Sequence, residues 1–402
     1  HMLEQHTPAL YGAAQPAALA TIRRDLDNIW QAWRLAGELR SFAFFDAVLD
    51  AMLLVFDVLG LMRTACELCR NASQQLTREG LKTPTERIVA ARVQALEGVA
   101  EFRLGNFAHA RELTEAALAI MTAEQAPPWG LGHTHIFLGG AYFGLGDLDR
   151  TLAEFHCALD AYTAADSAWG CATALGNIAE MYMVWGANAQ ALDFAERAQR
   201  LAEPTGNPYL LAHNTYRLAV LLAGAGDYPA AQRYQQASLR YARQLNYACG
   251  EGMAMASLGD IAFATGDFVE AARRFADAVE LHRTAGNWMD EARTLVRQAE
   301  AMLALTQLET CRTLLHTALR KAVQADAAAV QIDALFQIAR LWLQQQRIDD
   351  ALSLLKHIAE AVVGADATRA AAADLLASYG GQGAGIMTPT QPISIHDLLA
   401  QL

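Results

Sequence analysis

Leu145-Gly146-Asp147-Leu148 reads as a Gly-containing turn between two apolar, alanine-rich stretches. The same turn recurs as Leu104-Gly105-Asn106-Phe107, Trp185-Gly186-Ala187-Asn188, Ala225-Gly226-Asp227-Tyr228 and Thr265-Gly266-Asp267-Phe268. The glycines are 41, 40, 40 and 40 residues apart. Two further steps of 40 reach Thr306 and Gln346, where glycine is lost but an apolar residue two positions on is kept, Leu308 and Ile348. A longer backward step reaches Gly60. A fixed period of this length marks a repeat architecture.

The residues around each turn keep the register. Seven before it stand Gly98, Gly139, Ala179, Ala219, Gly259, Ala299 and Ala339; five after it stand Ala110, Thr151, Ala191, Ala231, Ala271, Cys311 and Ala351. All are small, as required where two antiparallel helices joined by a short turn approach closely. Bulky residues recur four before the turn (Tyr142, Tyr182, Leu222, Met302, Trp342) and nine after it (Phe155, Phe275, Leu315, Leu355), where they fill the space between helix pairs. Strand patterns are nearly missing. Each repeat is thus expected to be a helix of about 15–18 residues, a turn, a second such helix and a loop. One pair cannot bury its apolar stripes alone, so the pairs stack. The fold class expected is all-α, a right-handed superhelix of about eight antiparallel helix pairs from near Ser41 to near Val363.

Residues 1–40 are expected to hold a leading remnant of cloning, His1-Met2, and an extra helix from Thr21 to Leu35; the His1-Met2 start suggests an excised piece of a longer protein. The repeats occupy 41–365. In 366–402, Ala367 to Ser378 reads as a capping helix, Gly380 to Gly385 as a flexible linker, and Ile393 to Leu402 as a short amphipathic tail.

Composition excludes several classes of function. The net charge of −12 and the near absence of Lys argue against direct nucleic-acid binding, which draws its affinity from a basic face. The most apolar stretch, Phe42 to Leu61, is interrupted by Asp46, Asp50 and Asp57, so a buried helix is expected there and not a membrane span. No signal peptide is seen, and six scattered cysteines fit free, buried thiols in a reducing cytoplasm.

With small residues at both crossing positions, an aromatic residue four before the turn and a Gly-Asp turn, the repeats resemble tetratricopeptide repeats, whose usual period is about 34. The longer form seen here resembles the sensor arrays of MalT-like and AfsR-like regulators, which belong to the signal-transducing ATPases with numerous domains. Leu26 to Ala36 (Leu-Asp-Asn-Ile-Trp-Gln-Ala-Trp-Arg-Leu-Ala) also resembles the segment that joins the ATPase module to the repeats. The resemblance implies a nucleotide-binding module upstream of this chain. It also implies an array that senses a small-molecule inducer or a protein or peptide partner and controls assembly of the ATPase. No Gly-x-x-x-x-Gly-Lys-Ser/Thr occurs in the 402 residues, so no nucleotide or other cofactor is assigned to them.

A ligand is expected on the concave side, lined by the first helix of each pair. Positions thirteen, nine, six and two before the turn share one helix face. They present Arg92; His133; Thr173, Asn177 and Glu180; His213 and Arg217; Ser257 and Asp260; Arg293, Arg297 and Glu300; and Asp333, Gln337 and Arg340, with Tyr216 and Phe336 beside them. Glu180 is expected beside Arg217, and Asp260 near Arg297. Ion pairs between repeats would produce the same pattern. Arg suits recognition because its planar fork holds a carboxylate or phosphate in two contacts.

Two features imitate chemistry. Cys66-Glu67-Leu68-Cys69 has metal-like spacing but no second ligand pair, so packed thiols are expected. His133 and His135, two apart on a helix, point to different faces and do not chelate together. No catalytic motif with supporting context occurs. The expectation is a binding protein and not an enzyme: a sensor domain, or alternatively a peptide-gripping scaffold with Asn177 and Arg217 as a carboxylate clamp, or a passive spacer.

Overall fold

The computed structural model describes residues 2–324, 327–361 and 366–379, and all regular structure among them is helical. Five helices precede the regular pairs: α1 (Met2–Leu10), α2 (Gln15–Arg24), α3 (Leu26–Glu38), α4 (Phe42–Leu59) and α5 (Met62–Thr77). The pairs are α6 (Pro84–Arg103) with α7 (Phe107–Ala123), α8 (Pro128–Gly144) with α9 (Leu148–Ala164), and α10 (Ala168–Val184) with α11 (Asn188–Ala202). They continue with α12 (Pro208–Gly224) and α13 (Tyr228–Leu245), α14 (Ala248–Ala264) and α15 (Phe268–Thr284), and α16 (Trp288–Ala304) and α17 (Leu308–Gln324). The last pair is α18 (Ala328–Gln344) and α19 (Ile348–Ala359), followed by α20 (Asp366–Tyr379), which packs on α19 and α18. Val363, Gly380 to Gly385 and Ile393 to Leu402 lie outside the described residues.

The turn chemistry is uniform. In all seven turns the backbone at the repeat position enters the left-handed region, at φ 83°, 81°, 71°, 83° and 85° for Gly105, Gly146, Gly186, Gly226 and Gly266. The amide after it returns to the carbonyl five residues back, as in Asp147 N to Tyr142 O at 3.0 Å, which satisfies a helix-end acceptor. Thr306 and Gln346 adopt the same conformation, at φ 58° and 63°, without the glycine that makes it easy. The aspartates that follow the glycine cap the next helix: Asp147, Asp227 and Asp267 accept from the amides of Arg150, Ala230 and Glu270 at 3.0–3.1 Å.

The small positions are the crossing points. Ala110, Thr151, Ala191, Ala231, Ala271, Cys311 and Ala351 are all fully buried. Where the second helix brings a phenylalanine nine positions after the turn, the first supplies glycine. A Cβ at Gly139 would stand 2.6 Å from Phe155, and one at Gly259 2.7 Å from Phe275. Close packing leaves no room for both.

The chain divides into two compact units, one up to Ala254 and one from Met255. In the first, α5 stacks on α6, α7 on α8, α9 on α10 and α11 on α12; in the second, α15 stacks on α16 and α17 on α18. The first 40 residues form three helices, with a break at Asp25 inside the single helix expected over Thr21 to Leu35. The repeat at Gly60 also departs from its successors. α5 packs more closely on α3, which runs parallel to it, than on α4. Bulky Leu53 occupies the crossing position of α4, whereas α3 offers Gly37, where a Cβ would meet the Ala72 backbone at an ordinary 3.7 Å. Trp33 Nε1 donates to the Leu68 carbonyl at 3.1 Å and closes that pair.

α4 is buried on nearly all sides, including Val48-Leu49, Ala51-Met52 and Leu54-Val55-Phe56. Among the described residues no helix is long and apolar enough to cross a membrane. Cys66, Cys69 and Cys311 are buried as expected, but Cys157 is exposed, and Cys171 and Cys249 are partly so at the edges of the packed clusters they touch. Burial pushes the Cys66 thiol up to about 12 and raises that of Cys69, so both are held as packed thiols.

Candidate functional site

The first helices of the pairs present the expected residues in three groups. In the first group Arg92, His133 and His213 face the chain's own N-terminal helices or neighbouring rings. Arg92 donates to Asp46 and to Asp50, each at 2.6 Å, and Arg103 donates to Asp57 at 2.8 Å. The aspartates that interrupt α4 are thus the partners of α6, and α4 runs parallel to α6 on the face where a ligand was expected. Tyr209 Oη on α12 donates to the same Asp57 carboxylate, so α4 spans from α6 to α12. His133 Nδ1 lies 3.2 Å from the Trp129 carbonyl oxygen, which requires a proton on that nitrogen. Its ring lies among Trp129, Tyr162 and Trp169 at centroid distances of 4.6, 5.5 and 5.9 Å, and burial pushes its pKa down. His213 is held well below the usual histidine range by burial, with Arg217 and Arg103 adding repulsion; Tyr209 and Tyr247 pack on it.

The second group joins α10 and α12. Arg217 Nη2 donates to Asn177 Oδ1 at 2.5 Å, and its Nε lies 3.6 Å from Glu180. The arginine is 14% exposed and the glutamate 45%, so the pair opens to solvent on its acidic side. Gly176 makes this possible, because a Cβ there would stand 2.9 Å from the guanidinium. Tyr216 neighbours Arg217 on α12 and is partly exposed.

The third group lies wholly in the second unit and is a chain of alternating charge across three first helices. Arg297 donates to Asp260 at 2.9 Å and to Glu300 on its own helix; Glu300 also accepts from Arg340 at 2.8 Å, and Arg340 donates to Gln337 at 2.9 Å. The Arg297 guanidinium lies 5.2 Å from the Phe263 ring centre and that of Arg340 5.9 Å from Phe336. Arg293 lies 3.6 Å from Asp290, and Asp333 accepts from Thr368 on α20 at 2.6 Å. Asp260 is about half exposed, and Arg297 and Arg340 are a third or more exposed. Stacked, pre-aimed guanidinium groups at a surface are suited to exchanging one carboxylate for another anion.

Three contributors were missed from sequence: the ring column Trp129, Trp169 and Tyr209, the capping residue Asn207, and Tyr11. The rings recur at the same 40-residue spacing as the turns, seventeen positions before them, so the beat itself contained their signal. Asn207 and Tyr11 carried none, because their partners are distant in sequence. His135 on the other face of α8 pairs with Glu154 at 2.7 Å.

Residues 91–373 match the family described as the MalT-like TPR region. The sequence matches no curated protein. Among solved structures, a Rap protein complexed with competence and sporulation factor is 13% identical, with 85% of this chain and 98% of that chain covered and a TM-score of 0.57. The apo form of the quorum sensor NprR from B. thuringiensis is 14% identical over 84% of this chain and 98% of that one, with a TM-score of 0.55. A signal-transduction ATPase with numerous domains from Pyrococcus horikoshii, which carries a tetratricopeptide-repeat sensor, is 13% identical with a TM-score of 0.51. It covers 80% of this chain, which spans half of its length. At such identities the likeness is one of fold.

Proposed function

Since the chain belongs to the MalT-like tetratricopeptide-repeat family, we propose that it is the recognition domain of a multidomain signalling ATPase whose nucleotide-binding module lies upstream, and that its part is binding and not catalysis. The effector is a small molecule or a protein or peptide partner that presents a carboxylate or phosphate to the first-helix face. The observation that carries this reading is Glu300, gripped by Arg297 of its own helix and Arg340 of the next. An incoming anion that takes the place of Glu300 on these two forks breaks the bridge between α16 and α18 and makes its own. Such an exchange changes which helices are tied together. It shifts an upstream equilibrium only if the effector binds the two arrangements with different affinity. The sensor of the Pyrococcus protein and the signalling-factor complex of the Rap protein support recognition as the role of arrays with this fold.

A peptide occupant is favoured by a separate observation in the first unit: the Asn207 amide already holds main-chain carbonyls, those of Leu10 and Gly12 at 2.9 and 3.3 Å.

The test is a thermal-shift screen of carboxylated and phosphorylated metabolites and acidic peptides on the wild type, Arg297→Ala and Arg217→Ala. The expected result is a ligand that raises Tm in the wild type and not in Arg297→Ala, with the melting temperature of the unliganded variant nearly unchanged. A ligand that stabilises all three proteins equally removes the charged face as its site.

A further inference from the structure

The first unit has on its first-helix face an aromatic surface that the charged groups do not explain. Trp129, Trp169 and Tyr209 stand at the starts of α8, α10 and α12. The Tyr11 ring meets Trp129 and Trp169 edge-on, at 5.2 and 5.1 Å, and its hydroxyl donates to the Asp50 carbonyl at 2.9 Å. Around it the segment is held through two main-chain carbonyls and one side chain. Asn207 donates to the carbonyls of Leu10 and Gly12, and the Tyr209 amide donates to Gln15 Oε1 at 3.1 Å. Backbone carbonyls are offered by any sequence, so among the polar and ring contacts the specific elements of this docking are the Tyr11 side chain, placed just beyond a helix end, and the buried Gln15 side chain.

The segment that makes these contacts lies outside the repeat beat. α1 and α2 are helices of 9 and 10 residues, and α1 contains Pro8. Helices shorter than about 12 residues are marginal in water, so these two hold their shape through docking of Leu3, Leu10, Leu19 and Ile22. The pocket is also incompletely matched by its present occupant. His133 Nε2 and Tyr162 Oη, on rings packed against Trp129, are buried and have no hydrogen-bond partner. Buried polar groups normally find one. A polar group beside the aromatic ring of an occupant is the kind of partner these atoms lack and Tyr11 does not supply.

We infer that this face is a peptide-binding surface whose built-in occupant, residues 2–24, is exchanged for a partner peptide carrying an aromatic side chain at the end of a short apolar helix, with a hydrogen-bonding group next to that ring. The inference rests on the sensing role proposed above and names a second face and a ligand class for it. Release of residues 2–24 frees the segment that leads directly into α3, and so provides a route from binding to whatever precedes the repeats.

The test uses the full chain and a fluorescent synthetic peptide spanning residues 2–24. In hydrogen exchange of the wild type, amides of α1 and α2 are expected to exchange at least about tenfold faster than those of α6 and α8, and faster still with excess peptide. Tyr11→Ala in the chain empties the pocket, so the peptide is expected to bind about tenfold or more tighter than to the wild type, while a peptide carrying the same Tyr11→Ala change does not bind. Protection of α1 and α2 equal to that of α6 and α8, and unmoved by excess peptide, makes residues 2–24 a fixed part of the core and overturns the proposal. The exchange measurement on the wild type decides the matter even if Tyr11→Ala does not fold. Arg297→Ala is expected to leave peptide exchange intact, so failure of the charged face as an effector site and failure of this proposal give different results.

Discussion

Arg92 Nη2 donates to Asp50 Oδ1 across 2.6 Å, and through its other terminal nitrogen the same arginine reaches Asp46, so one side chain of α6 fastens two successive turns of α4. The arginine is 15% exposed and Asp50 34%, so water screens the pair only in part. Removing the guanidinium leaves the partly buried Asp50 carboxylate without its cation, while Asp46, 56% exposed, keeps its water. Arg92→Ala is expected to lower the unfolding free energy by about 2 kcal/mol, and Asp50→Asn by less, because the amide oxygen still accepts. Urea denaturation of both variants and of the double mutant checks this. Strictly additive losses would show that the two residues do not stabilise one another.

Gly259 and Phe275 illustrate how pairs are matched. Alanine is a better helix former than glycine by about 1 kcal/mol, and taken alone Gly259→Ala would stabilise α14. A Cβ only 2.7 Å from the Phe275 ring reverses the sign, with a net loss of about 1–2 kcal/mol expected from overpacking. Adding Phe275→Leu should recover part of the loss relative to Phe275→Leu alone. A Gly259→Ala protein as stable as the wild type would mean that α14 and α15 can separate without penalty.

Thr306 is a β-branched residue at φ 58°, a conformation in which its Cβ crowds the backbone. Thr306→Gly restores the residue found at the other turns and is expected to raise stability by about 0.5–1 kcal/mol, with Gln346→Gly behaving alike. Thermal melts are sufficient to see it. A fall in Tm for both variants would indicate that these side chains make contacts worth more than the strain.

His213 provides a pH dependence. Burial, and to a lesser degree Arg217 and Arg103, keep the folded ring neutral well below the usual value, while the unfolded ring protonates near about 6.5. Below that pH the unfolded chain takes up a proton that the folded one refuses. Stability is therefore complete above about pH 6.5 and is lost progressively as the pH falls towards the depressed folded value. Comparing denaturant midpoints at pH 7.5 and 5.0, the wild type should lose more than His213→Phe. An equal loss would show that the folded ring protonates as readily as the unfolded one.

The parts legible in advance were those governed by local periodicity. Gly146 and Asp147 announced a helix end and a helix start; Gly139 and Thr151 announced a close crossing, and the structure uses them so. The pairing of Glu180 with Arg217 and of Asp260 with Arg297 followed from the same spacing, because the position six before one turn lies beside the position nine before the next. The helix break at Asp25, the choice of α3 as partner for α5 and the docking of Tyr11 were not legible, since each depends on surfaces that meet only after the repeats have stacked.

A forty-residue recurrence of small side chains and turns is sufficient to specify helices, their ends and the order in which neighbours pack, because each of these depends on residues a few turns apart along the chain. It does not say which face is left open. The aspartates of α4 look like a solvated stripe until Arg92 and Arg103 are seen opposite them, and Arg92, His133 and His213 look like ligand-facing residues until α4 and the neighbouring rings are seen to cover them. Occupancy of a face is decided by long-range contacts between elements as far apart as Leu10 and Asn207, and no local pattern encodes those.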